Sequence, residues 1–112
     1  MMGMDETQRA QMAAAMDALW AKFLPQMEER LAVLEAANHA LGSGELSQEQ
    51  REAARAAAHK LAGALGSFGL ARGTELAREA EHIYLNAAEK AAPAERLNLI
   101  VAELRRLVAT RA

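Results

Sequence analysis

The chain has no cysteine, only two prolines, and aromatic side chains at 4% of its 112 positions. The missing cysteine excludes a disulfide framework, cysteine-ligated zinc and a thiol nucleophile, and fits a reducing compartment. There is no excess of positive charge: the formal net charge is −2, and no basic stripe is present to neutralise phosphates, which argues against a nucleic-acid partner. No window approaches the ~18 uninterrupted apolar residues of a membrane span. The N-terminal stretch MMGMDETQRAQ also lacks the cationic segment, apolar run and small-residue cleavage site of a secretory leader. These absences predict a cytoplasmic protein that keeps away from membranes. What is abundant is alanine, which supplies much of the 52% hydrophobic fraction and suits helices packed closely through small side chains. The length predicts a single domain, residues 1–112, with one core.

Helical periodicity runs through nearly the whole chain. Met12, Met16, Leu19, Trp20 and Phe23 mark one face of a first helix over residues 5–24, with Asp5 as its N-cap. Pro25 cannot donate the helical hydrogen bond, so a break is predicted near residues 23–26, with a second helix starting at the proline. That helix turns Met27, Leu31, Leu34, Ala37 and Leu41 inward and ends at Gly42-Ser43-Gly44. His39, near its C-terminus, reads as a cation favoured by the helix dipole. Ser47 with Gln50 forms a capping box that opens a third helix, and Gly69 closes it. A fourth covers residues 71–89, with Leu76, Ala80, Ile83, Tyr84 and Ala87 inward, Glu75, Arg78, Glu79 and Glu81 solvated, and His82 structural or at the surface. After a connection at residues 91–93, with Pro93 at the first helical position, the last helix buries Leu97, Ile100, Val101, Leu104, Leu107 and Val108. Arg105, Arg106 and Arg111 suit its negative end. Short connections favour antiparallel neighbours. The predicted fold is all-α: an up-down antiparallel four-helix bundle with an additional N-terminal helix packed across it.

The third helix organises the rest. At ~100° per residue its apolar positions Ala54, Ala57, Ala58, Leu61, Ala64, Leu65 and Phe68 share a stripe roughly 120° wide. His59 points about 160° away from the centre of that stripe, in the company of Glu52, Arg55, Ala56, Gly63 and Gly66. Each mid-helix glycine costs ~1 kcal/mol relative to alanine. Gly63 and Gly66 lie one and two turns beyond His59 on its own face. A physical reason to omit side chains there is to let a bulky partner approach the imidazole.

His59-Lys60-Leu61-Ala62-Gly63, followed by Leu65, Ser67, Phe68, Gly69 and Leu70, resembles the phosphorylation-site helix of histidine-containing phosphotransfer (HPt) domains of bacterial multistep phosphorelays, whose pattern reads H-x-L-x-G-x-x-x-x-x-G. One departure stands out: many members carry lysine three residues after the histidine, where this chain has Ala62 and places its lysine at Lys60. The resemblance implies that His59 accepts a phosphoryl group from the aspartyl phosphate of a receiver domain, in a response regulator or hybrid sensor histidine kinase, and passes it to another receiver. It also implies that the Mg²⁺ needed belongs to the receiver, so that this chain has no cofactor of its own, and that the chain is a monomer.

An exposed neutral imidazole is a competent nucleophile at pH 7, because its unperturbed pKa is ~6.5. Arg55, one turn before His59, is placed to pair with phosphoryl oxygens or the acidic rim of a receiver, or else with Glu52 or Gln48 on its own helix. Lys60, about 100° round the helix, reaches the same group or is simply solvated. Gly63 clears space for phosphate and partner. Ser67 bonds nearby backbone or touches the partner. Other chemistries find no support: there is no phosphate-binding loop with lysine, so no ATP binding or self-phosphorylation is expected. His39, His59 and His82 lack ligand spacing with one another. Gly42-Ser43-Gly44 follows no strand. The competing reading is a non-catalytic bundle that docks a partner through the face around His59 and Gly63 and never carries phosphate.

Overall fold

The computed structural model describes residues 5–86 and 94–111. Four helices follow one another: α1 (Glu6–Gly42), α2 (Gln48–Ser67), α3 (Ala71–Asn86) and α4 (Ala94–Arg111). The predicted reach of the fourth helix to residue 89, Ala87 on its buried face, the connection at residues 91–93 and Pro93 as a helix start all lie outside the described residues.

Local chemistry sets the helix ends. Asp5 caps α1 by accepting from the Gln8 backbone N–H at 2.7 Å, while the Gln8 side chain accepts from the Asp5 N–H at 3.2 Å. Ser47 and Gln50 make the same reciprocal pair on α2, both at 3.0 Å, as predicted. Both C-termini close in a Schellman pattern, with Glu45 N–H on the Ala40 carbonyl at 2.8 Å and Leu70 N–H on the Leu65 carbonyl at 2.9 Å. These turns need φ values of +73° at Gly44 and +75° at Gly69, which glycine adopts without steric cost.

The predicted break at Pro25 does not occur. α1 runs 37 residues with Pro25 inside it, so the expected separate N-terminal helix is the first half of α1 and does not pack across the bundle. Pro25 removes one hydrogen bond, to the carbonyl of Ala21, but both residues are exposed and water can satisfy that carbonyl. Buried anchors on either side, Trp20 at 3% exposure and Met27 and Leu31 at 0%, hold the two halves on one axis.

The apolar face predicted for that first half is corrected as well. Only Trp20 is buried and Met16 half-buried; Met12, Leu19 and Phe23 are 55%, 43% and 38% exposed. The bundle ends at Trp20, whose ring meets Phe68 edge-on at 5.0 Å, with the Arg111 guanidinium over both rings at 5.2 and 5.8 Å. Residues 6–19 project beyond that lid by about 20 Å at 1.5 Å per residue, and the molecule is 57 Å long by 26 and 20 Å across.

Each helix packs on the next, and α1 closes the ring against α4. Cross-helix pairs fix the antiparallel sense: on α2 and α3, His59 faces Glu81 and Gly66 faces Thr74; on α3 and α4, Glu79 faces Arg96 and Arg72 faces Glu103. The core is the predicted one along α2, with Ala54, Ala58, Leu61 and Leu65 fully buried and Ala64 and Phe68 half-buried at its margin. Asn38 is the buried polar residue of α1, and its side-chain oxygen accepts from the Tyr84 hydroxyl across the bundle. Burial pushes the Tyr84 phenol up in pKa, so it stays a donor.

Three bidentate ion pairs tie the outer faces: Arg105 to Glu35, Arg96 to Glu79 and Arg72 to Glu103. In each the guanidinium, through its hydrogen bonds, holds the carboxyl below the ordinary value of 4.5. A carboxyl whose folded pKa is depressed binds protons more readily in the unfolded chain, so its stabilisation is present above pH ~4.5 and fades as pH falls through the folded values. The urea midpoint is therefore expected to fall as pH drops below about 4.5 and to hold steady just above it, by a modest amount because all three pairs are solvated. A midpoint that rises on acidification would contradict this assignment.

Candidate functional site

Because α2 commits Ala54, Ala58, Leu61 and Leu65 to the core, His59 emerges on the far side with 70% of its side chain exposed. Its Nδ1 lies 3.0 Å from Glu81 Oε2 on α3. An ionised carboxylate only accepts, so in the neutral ring this contact places the proton on Nδ1 and leaves Nε2 as the nitrogen with the free lone pair. Glu81 is itself largely covered, at 19% exposure, and Arg55 Nη1 stands 3.8 Å from the same oxygen.

His59, Ala62 and Gly63 from α2 and Arg78, Glu81 and His82 from α3 line a cleft of about 260 Å³. A Cβ added to Gly63 would meet nothing within 4 Å, so the space beside the imidazole is open. Gly66 differs: its added Cβ would stand 3.2 Å from the Thr74 hydroxyl, which donates to the Ala62 carbonyl at 3.0 Å. That glycine has a packing reason inside the molecule. Ser67 donates to the Gly63 carbonyl at 3.1 Å, the backbone alternative of the two predicted. Arg55 takes its own-helix alternative, with Nε 3.0 Å from Glu52.

Lys60 and Ala56 are not brought to the cleft. They line a separate groove between α1 and α2 with Gln26, Glu29, Arg30 and Val33. Conversely, Glu81 and Arg78, read from sequence as part of a solvated side, belong beside His59. The signal that would have found them is the short turn at residues 68–70: in an antiparallel hairpin, residues equidistant from the turn face each other, which sets position 59 against the turn of α3 around position 79, where Arg78 and Glu81 lie.

The family model described as the Hpt domain matches residues 18–110. The chain belongs to the Hpt family. Hpt domains hand phosphoryl groups along phosphorelays, and this chain is a phosphotransfer domain of that class. Protein RcaC of Microchaete diplosiphon is 32% identical over 83 residues, which are 74% of this chain but 13% of that protein. The chain thus spans about an eighth of that curated relative. No solved structure matches. The all-helical architecture accords with the Hpt bundle, and the family match begins two residues before Trp20, so most of the α1 overhang lies outside it. Among the described residues of this Hpt domain, no helix is long and apolar enough to cross a membrane.

Proposed function

We propose that His59 is the phosphoryl acceptor of this Hpt domain and that its partners are receiver domains, of a response regulator or a hybrid sensor kinase. The observation that carries this is the geometry of one side chain: an exposed imidazole whose Nδ1 is engaged by Glu81 at 3.0 Å, in a cleft that Gly63 leaves open. In the transfer the Nε2 lone pair attacks the phosphorus of an aspartyl phosphate. The P–N bond forms as the bond to the aspartate oxygen breaks, and the carboxylate leaves with the electron pair. The ring keeps its Nδ1 proton and becomes cationic, a charge that the Glu81 carboxylate offsets. Transfer to a second receiver runs the same steps backwards.

The charge neutralisation supplied by Mg²⁺ belongs to the receiver's pocket. This chain contributes the nucleophile, its orientation and an unobstructed approach, and it carries phosphate without making it, since it has no lysine-bearing phosphate loop. That role places it in the cytoplasm as a monomer that meets its partners by docking on the α2–α3 face.

Incubation with a phosphorylated receiver and Mg²⁺, followed by intact-mass measurement at neutral pH, tests the proposal. The expected result is gain of one phosphoryl group, mapped to His59 and lost on brief acid treatment. Receivers that bind the α2–α3 face without any transfer would overturn it and leave a docking module instead.

A further inference from the structure

A phosphoryl group on His59 carries nearly two negative charges, and the group in flight spreads charge over three oxygens. Cations within reach therefore decide how favourably it rests there. The cations of α2 and α3 are mostly committed elsewhere. Arg55 is bonded to Glu52 and leans on Glu81. Arg51 donates to Gln48 at 3.0 Å. Lys60 lies in the α1–α2 groove beside Glu29 and Arg30. Arg72 is held by Glu103 and Glu75.

Arg78 is different. It makes no ion pair or side-chain hydrogen bond among the described residues, and it forms a wall of the cleft that holds His59 and Gly63. The antiparallel register fixes its level: His59 faces Glu81 and Gly66 faces Thr74, so Arg78 stands opposite Ala62, one turn from the imidazole. Ala62 itself offers only a methyl group, 5% exposed. Arg78 also borders the adjoining groove with Gly66, Gly69, Thr74 and Glu75. The other ionisable groups around it are Glu81, engaged with the ring, His82 in the same cleft, and Glu75 in the adjoining groove, which stands 3.6 Å from Arg72.

We infer that Arg78 is the residue that binds the phosphoryl group on His59, its fork reaching the phosphoryl oxygens from α3 across the space kept open by Gly63. The inference rests on His59 as acceptor. It supplies from the neighbouring helix the cation that Ala62 does not.

The test is ³¹P NMR titration of the whole chain phosphorylated with phosphoramidate, a small donor that needs no protein partner, with His59→Ala used to assign the His59 signal. A cation beside the phosphoryl group favours its dianion and lowers its pKa. Arg78→Gln is expected to raise the midpoint by about one pH unit, Arg78→Lys to restore most of the difference, and Lys60→Gln to leave it unchanged. With receivers as donors, Arg78→Gln should lower equilibrium occupancy of His59 by about 10- to 100-fold, the scale of a charge-assisted hydrogen bond, with an unchanged melting temperature. A phosphoryl titration identical in Arg78→Gln and parent, or one displaced by Lys60→Gln instead, would overturn the inference. Because phosphoramidate modifies any accessible imidazole, that failure is distinct from failure of the reading beneath it, which would show as no transfer from receivers to the parent.

Discussion

A His59→Ala variant is expected to fold as the parent does and to lose phosphoryl uptake from receivers by more than about three orders of magnitude, because removal of the nucleophile leaves no covalent acceptor. The two halves of this expectation have separate grounds. The side chain is 70% exposed and its one bond is to Glu81, a surface contact whose loss shifts stability by roughly 0.5 kcal/mol or less. Alanine is also the better helix former. Chemically, Glu81 and Arg55 remain in place in the variant but neither can bear the group. His82 lines the same cleft and is the internal control: label that moves to His82 at a comparable rate would show that the cleft, and not the Nδ1–Glu81 geometry, selects the acceptor. Intact mass with peptide mapping and a urea curve on the same sample read both halves.

Gly63→Leu should separate stability from activity in opposite directions. An added Cβ meets nothing within 4 Å, and replacing a mid-helix glycine by leucine recovers up to ~1 kcal/mol of helix propensity. The variant should therefore melt higher. Helical side chains lean toward the N-terminus, which lays the new leucine over the imidazole one turn below. Transfer from a receiver is expected to fall at least about 100-fold, since a displacement of ~1 Å of the reacting groups already costs that much. Gly63→Ala should gain similar stability with a smaller loss of transfer. Gly66→Ala is the contrast: its Cβ would press the Thr74 hydroxyl at 3.2 Å and strain the bond to Ala62, so little or no stabilisation is expected. A Gly63→Leu variant that transfers at the parent's rate would refute the role given to the open space.

What the sequence disclosed and what it withheld divide along physical lines. The caps at Asp5 and Ser47, the turn at Gly69 and the inward stripe of α2 are local: each depends on residues three or four apart, and each appears where periodicity puts it. The outward direction of His59 follows from the same stripe. Pro25 misled because the cost of a helical proline is fixed only when the exposure of the orphaned carbonyl is known, and that depends on the far side of the bundle. Met12, Leu19 and Phe23 misled because a stripe says which face is apolar, not whether anything lies opposite it. Glu81 and Arg78 were missed for a related reason: periodicity within one helix carries no register between two, and the register lies instead in the short turn at residues 68–70 that lays α3 against α2. Lys60, adjacent to the histidine in sequence, turns toward α1 because neighbouring helical residues stand ~100° apart.

The four antiparallel helices also give the molecule a single grain. Nearly every peptide N–H bond lies along the 57 Å axis of a body 26 Å by 20 Å across. Such a body spins readily about its length and turns slowly end over end, and bonds parallel to the length are insensitive to the spin. Amide ¹⁵N relaxation should thus report the slow rotation almost uniformly, and weak alignment in a stretched gel should give residual dipolar couplings of one sign through all four helices. The stretch of α1 beyond Trp20 would carry couplings of that same sign, making it a direct gauge of the rod's straightness past Pro25.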